Sequence, residues 1–354
     1  MDPKYVYLHL PNRWTTSNYH LNFINQELPK IFEKMKSVEQ AEFEFHTRVE
    51  ESVKYDIVVS WGLDYLDREP TSTACGSALK VTLWDDFQWG LYDQVKAYRH
   101  SLIDRSDLIL TPNYHTVGTT GNGEFRNKMD KVEFFPYHID ESRVNVSIEP
   151  QIDKFILSGD FNTSLNSIEG ILELADREKI GYSMRSILYL LAKDRSDIDV
   201  LTHNEFRQDV VDKRVDEHMF VPHDDEYINI LSRYKFAFSV IDGSTDEIDL
   251  YSTWSYGHFT FKNIEIMASG AILVADEKPA FADLGLTPYI HYIPITRKNL
   301  SSNAHEFLNS IISMPESLLQ EIRRNATSWV REYSNDKAAN LLYEKLKCLM
   351  DRDV

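Results

Sequence analysis

Lys262 and Glu265 stand three positions apart in Phe259-Thr-Phe-Lys-Asn-Ile-Glu-Ile-Met-Ala-Ser-Gly-Ala-Ile-Leu-Val-Ala-Asp276, where the apolar spacing predicts a helix over Lys262–Ser269 running into a buried strand. Residues one turn apart on a helix share a face. At a helix start the open N–H groups and the dipole favour an anion, so Lys262 is placed to meet a diphosphate. Glu265 carries only acceptors and suits the two vicinal hydroxyls of a ribose. Ser269 and Gly270 end the helix and allow close packing before the strand. The spacing by itself leaves a solvated surface ion pair equally open, because Lys-x-x-Glu is common.

Arg185, at the start of a predicted helix over Met184–Ala192, offers a second cation, since a guanidinium can grip phosphate oxygens in a bidentate way. An exposed arginine paired with a nearby acid is the alternative. Ser158 and Gly159 follow a short apolar run, and glycine there lets the backbone approach a phosphate closely. Pro11-Asn-Arg-Trp-Thr-Thr-Ser-Asn-Tyr-His20 is rich in hydrogen-bonding and aromatic groups, as a loop meeting a glycan would be, which makes Arg13, Trp14 and His20 acceptor-side candidates. The bland alternative is a structured connection. His223-Asp-Asp-Glu226 is not read as a metal site: consecutive residues cannot all turn to one centre, and a helix start collects acids anyway.

The elements that must position these residues alternate. The first half reads as strands at Tyr5–Leu10, Tyr55–Val59, Leu79–Leu83, Leu108–Thr111 and Val132–Phe135, with helical periodicity at Leu21–Met35 and Gln94–Ile103. The polar stretch from His138 to Asp153 carries Pro150 and no clear period, and marks a domain boundary. The pattern then restarts, with strands at Phe155–Leu157, Ile198–Leu201, Phe236–Ile241, Ala271–Ala275 and Ile290–Pro294, and a short helix at Tyr227–Ser232. Strict alternation implies α/β domains with parallel sheets, and two such domains bind ligands at the carboxyl ends of their strands, in a cleft between them. The expected division is 1–148, 149–330, and a C-terminal helical segment, 331–354, able to pack back on the first domain.

Composition narrows the partners. The 354 residues are 42% hydrophobic and 27% charged, as in an ordinary globular protein of about two domains. A formal net charge of -18 disfavours nucleic acid, which is bound by clustered cations. No apolar run approaches the ~20 residues of a membrane span, and the N-terminus lacks the layout of a secretion signal, so a cytoplasmic chain is expected. Cys75 and Cys348 are too few and too far apart for a disulfide framework or a zinc site. Gly-x-Gly-x-x-Gly after a strand, the Walker loop, the Gly-x-Ser-x-Gly elbow and His-Glu-x-x-His are all missing, which leaves dehydrogenase and hydrolase readings without anchors.

The Lys262–Asp276 segment resembles the donor-binding helix of GT-B glycosyltransferases of the group 1, family 4-like kind, whose signature runs basic residue, two residues, Glu, then a hydrophobic-Met/Pro-Ala-Ser/Cys-Gly run. Leu231-Ser-Arg-Tyr-Lys-Phe-Ala-Phe238 and Ala282-Asp-Leu-Gly-Leu286 resemble the segments on either side, and Tyr182-Ser-Met-Arg185 is similar to a Tyr-Pro-Leu-Arg element of some relatives. The likeness covers roughly 155–295 and is strong for 227–286. It implies a GT-B architecture of two Rossmann-like domains facing a central cleft, with Glu265 on the donor's ribose and Lys262 near its diphosphate. The sequence departs from the family in two places. Gly257 stands where many retaining members carry a second glutamate for the donor sugar, leaving Asp242, Tyr256 and His258 as substitutes. Trp84, in Lys80-Val-Thr-Leu-Trp-Asp-Asp86, occupies the place of a catalytic histidine, so Asp85 or Asp86 inherits that candidacy. Phe135-Pro-Tyr-His-Ile-Asp140 matches a structural element, with His138 able to face the cleft.

The resemblance thus implies transfer of a sugar from a nucleoside-diphosphate donor, a UDP- or GDP-sugar, to a glycan or other hydroxyl acceptor, with retention, no metal and no further cofactor. A catalytically inactive GT-B-like glycan-binding or scaffolding protein is the rival, and a nucleotide-sugar epimerase a third reading.

Overall fold

The computed structural model describes residues 4–9, 27–38, 44–61, 75–84, 103–112, 126–144, 152–159, 167–168, 170, 183–202, 224–240 and 259–352. In chain order the elements begin with β1 (Tyr5–His9), α1 (Leu28–Met35), β2 (Glu44–His46), β3 (Ile57–Trp61), β4 (Leu79–Leu83), β5 (Leu108–Thr111) and β6 (Val132–Phe134). They continue with β7 (Ile152–Gly159), α2 (Ser183–Asp194), β8 (Ile198–Thr202), α3 (Asp224–Leu231), β9 (Tyr234–Ser239), α4 (Phe261–Ala268) and β10 (Ile272–Asp276). After these come α5 (Pro279–Asp283), β11 (Ile293–Ile295), α6 (Arg297–Ile312), α7 (Glu316–Arg331) and α8 (Asn335–Arg352). None of the described helices is long and apolar enough to cross a membrane.

The chain divides into two compact units, one made of Met1–Glu141 with Glu332–Val354 and the other of Ser142–Arg331. The first holds a parallel six-stranded sheet in the order β2-β1-β3-β4-β5-β6. Its strands β1, β3 and β5 are short, largely apolar runs, as buried strands of parallel sheets are, whereas the edge strand β2 is only partly buried. Asp56 and Asp107 have structural duties there: Asp56 Oδ2 accepts from the backbone N–H groups of Lys4 and Tyr5 at 2.9 and 3.0 Å, and Asp107 Oδ2 accepts from Lys80 N–H at 2.7 Å. α1 buries Leu28, Ile31, Phe32 and Met35, one stripe at helical spacing, and α8 packs against it.

A buried carboxylate fastens α8 to this unit. Glu27 is fully buried, and its Oε2 accepts from the Asn335 side-chain amide at 2.5 Å and from Asp140 N–H at 2.9 Å. Ile139 N–H donates to Tyr333 and Asn335 N–H returns to Ile139, closing a short parallel bridge between Ile139 and Ser334. Replacing Glu27 with alanine strands the buried Asn335 amide and the half-buried Asp140 N–H, so a loss of about 2–4 kcal/mol is expected in urea melts. A change below about 1 kcal/mol would show that the node contributes little.

The second unit holds a parallel five-stranded sheet in the order β11-β10-β9-β7-β8. Phe155 of β7 stacks against Phe236 and Phe238 of β9, with centroids 4.8 and 5.0 Å apart. α2 packs on β7 and β8, α4 on β9 and β10, and α7 on α4. The chain steps from β7 to β8 on one side and then crosses to β9 on the other, so the strand order reverses between β7 and β9. Open α/β sheets bind ligands at the carboxyl ends of the strands flanking such a reversal.

Two expectations need correction. The strand expected at Ile290–Pro294 is β11, at Ile293–Ile295, because Pro288–Tyr292 forms a tight turn with Tyr289 at φ 60° and Tyr289 N–H bonded to Tyr292. Its apolar residues imitate a strand. The sequence also gives no sign of α6, whose Ser- and Asn-rich composition and kink at Asn303 hide its buried stripe of Leu300, Ala304, Leu308 and Ile311.

Candidate functional site

Five polar side chains converge where β7 and β9 end in the second unit. Ser158 and Gly159 are the last residues of β7, and Val240 follows β9 directly. Lys262 Nζ donates to the Ser158 carbonyl at 2.7 Å, and an Arg185 guanidinium nitrogen donates to the Val240 carbonyl at 3.2 Å. Ser158 Oγ and the Tyr227 hydroxyl share a hydrogen bond of 2.8 Å. Glu265 is 4% exposed and close enough to act electrostatically on both Lys262 and Tyr227.

The local sequence explains the arrangement. α4 is buried on nearly every side, taking in Phe261, Asn263, Ile264, Glu265, Ile266, Met267 and Ala268, because it runs into the buried strand β10 and is covered by α7. A helix apolar all round belongs in a core, and this one carries Glu265 in with it. The surface ion pair that the spacing left open is thereby excluded. Arg185 sits in the first turn of α2, half-buried, so the alternative of an exposed arginine is excluded too.

Burial lowers the Lys262 amine well below the ordinary lysine range, the neighbouring Arg185 guanidinium pushes it the same way, and Glu265 opposes both. Burial also raises the Tyr227 phenol, with Glu265 adding to the shift while Ser158 and Arg185 oppose it, so Tyr227 remains a protonated hydroxyl. The two basic side chains Lys262 and Arg185 flank the single acid Glu265 at the carboxyl ends of β7 and β9. Two basic groups around one acid suit a dianion, which would favour the protonated Lys262 amine and pair with the Arg185 guanidinium.

Of the residues singled out from sequence, Lys262, Glu265, Arg185, Ser158 and Gly159 are therefore brought together. Asp242, His258, Tyr256, Asp85, Asp86, Arg13, Trp14 and His20 lie outside the described residues. His138 does not face a ligand: it is 2% exposed, with its ring 5.1 Å from that of Phe135 and 6.0 Å from that of Tyr333. Tyr227 was missed. In the sequence it only begins a short apolar helix, and the signal available was a hydroxyl-bearing aromatic on a helix that had to be buried.

No family profile and no curated protein sequence matches the chain. Solved structures do. HepE of Anabaena, crystallised with UDP and glucose, superposes with a TM-score of 0.55 at 9% identity over 98% of this chain and 99% of that one. A glycosyltransferase of Rickettsia africae gives 0.53 at 14% identity over 98% and 99%. AviGT4, a glycosyltransferase of avilamycin A biosynthesis, gives 0.51 at 10% identity over 99% and 98%. The fold is that of the GT-B glycosyltransferases.

Proposed function

We propose that this chain is a glycosyltransferase that binds a nucleoside-diphosphate sugar on residues 149–330 and a hydroxyl acceptor, such as a glycan, on residues 1–148. The observation that carries the reading is the convergence of Lys262, Arg185 and Glu265 on the reversal point between β7 and β9. The fold supports it, and the neighbour HepE holds UDP and glucose. In the reaction the bond between the anomeric carbon and the diphosphate oxygen breaks, a bond to the acceptor oxygen forms, and the acceptor proton leaves to a base. The departing diphosphate carries the electron pair, and Lys262 and Arg185 stabilise its growing charge without a metal. Retention at the anomeric carbon and a cytoplasmic setting are part of the proposal; the free thiols Cys75 and Cys348 fit a reducing compartment.

The test is a thermal-shift panel of UDP, GDP, UDP-sugars and GDP-sugars. A ligand at a hundred times its dissociation constant adds ~2.7 kcal/mol to stability, so a true donor stands out. Transfer of the matching sugar to a hydroxyl acceptor then separates an enzyme from an inactive relative. Stabilisation by none of these compounds would sink the reading.

Binding should also take up protons. Burial and Arg185 hold the Lys262 amine well below its ordinary range, and a diphosphate beside it would raise that value. Between the two values the complex holds more protons than the free protein, so affinity falls as pH rises through that window. Calorimetry in buffers of unequal ionisation enthalpy measures the uptake, and Lys262→Met is expected to abolish it. Uptake that survives in that variant would assign the proton elsewhere.

A further inference from the structure

The end of β7 is held differently on its two sides. Its pairing with β9 runs from Ile152 to Leu157, whereas its pairing with β8 continues through Ser158 and Gly159. Ser158 therefore lies directly beyond the β9 ladder, at the point where the strand order reverses. There two side chains from other elements take hold of it. The Tyr227 hydroxyl meets Ser158 Oγ at 2.8 Å, and Lys262 Nζ donates to the Ser158 carbonyl at 2.7 Å. Tyr227 arrives on α3, which packs on both β9 and α4. Tyr227 and Lys262 thus meet on one residue, the first at its side chain and the second at its backbone.

Stability alone does not account for the two hydroxyls. Tyr227 is 5% exposed and Ser158 6%. Burying both costs solvation that their mutual bond only about offsets, and a phenylalanine facing an alanine would fill similar space without that cost. What the bond supplies is direction. A hydrogen bond shared by two buried groups fixes both rotamers, because either group turned away is left unsatisfied. Fixing the Ser158 side chain restrains the strand end just before Gly159, and with it the carbonyl on which the buried Lys262 amine rests. Burial and Glu265 hold the phenol in its protonated form, so the hydroxyl is present for this contact at neutral pH.

We propose that Tyr227 is a positioning residue of the donor site, acting through Ser158 to keep the Lys262 amine where the diphosphate binds. This inference rests on the donor reading given above. An ammonium carries three donors, so one can stay on the Ser158 carbonyl while the others meet phosphate oxygens. An amine already ordered in the free protein loses less freedom on binding than one that the ligand must capture, and that difference appears as affinity.

The experiment is a double-mutant cycle on the dissociation constants for UDP and GDP, using wild type, Tyr227→Phe, Lys262→Met and the double variant, with circular dichroism to establish folding. Tyr227→Phe keeps the ring and removes the hydroxyl. It is expected to weaken the preferred nucleotide about three- to tenfold. In the Lys262→Met background the same exchange should change affinity by less than about 1.5-fold, because the group it positions is gone. A merely structural tyrosine would cost the same factor in both backgrounds. Ser158→Ala removes the bond from its other end and should reproduce both the loss and its dependence on Lys262; it carries the test if Tyr227→Phe does not fold. Wild-type affinity in Tyr227→Phe, or a loss that multiplies with that of Lys262→Met, overturns the positioning role. A wild type that binds neither nucleotide defeats the donor reading itself; a wild type that binds, with losses that multiply, defeats this inference alone.

Discussion

Exchange of Glu265 for glutamine is expected to weaken nucleoside-diphosphate binding about 100-fold, because in the function proposed above its carboxylate accepts from two ribose hydroxyls, and a charged acceptor is worth more than a neutral amide in a buried site. The same change removes the negative charge that supports a cationic Lys262, leaving Arg185 and burial to press the amine further towards its neutral form. Loss of the ribose contact and loss of the cation therefore act together, and the effect should exceed that of either alone. The measurement is titration of UDP and GDP by calorimetry, with circular dichroism to establish that the variant is folded. Wild-type affinity in a folded Glu265→Gln protein would remove the carboxylate from the binding site and leave its burial unexplained.

The second large effect concerns acid stability. His138 is pulled down to about 3 from its ordinary 6.5, burial being the main cause and a hydrogen bond with the Pro136 backbone working weakly against it. The unfolded chain binds this proton near the ordinary value, while the folded chain resists it until about 3. Across that interval the unfolded state holds more protons, so folding weakens as pH falls. Stability is intact above about 6.5, declines by ~1.4 kcal/mol per pH unit below it, and has lost on the order of 5 kcal/mol by about pH 3. Urea melts at several pH values should show this slope in the wild type and a shallower one, by about one proton, in His138→Phe. An unchanged slope in the variant would place the acid sensitivity on other groups.

Much of the fold could be read from residue order, for identifiable reasons. The expected bounds of β4 and β5 match the structure because Leu79, Val81 and Leu83 alternate with polar residues in the one, and Leu108-Ile-Leu110 is an unbroken apolar run between Asp107 and Thr111-Pro112 in the other. The edge strand β2 was invisible: three residues, Glu44–His46, none of them fully buried, leave no periodic trace. α6 was missed because its apolar residues are diluted by serine and asparagine, and its start is set by a capping box rather than by amphipathic contrast. At the site, Lys262 and Glu265 were legible because one segment carries both. Tyr227 was not, because its partner Ser158 is 69 residues away and only the parallel pairing of β7 with β9 brings their neighbourhoods together.

The unit built around β1 to β6 is assembled from two separate stretches of chain, and its final helix, α8, ends at Arg352. Residues 142–331 form a sheet of their own, whereas the first unit is complete only with the helix that docks through Asn335 onto Glu27. Loss of the chain from Asn335 onward therefore leaves α1 uncovered and a buried acid lacking its amide partner, while the strand pairings of residues 142–331 stay complete.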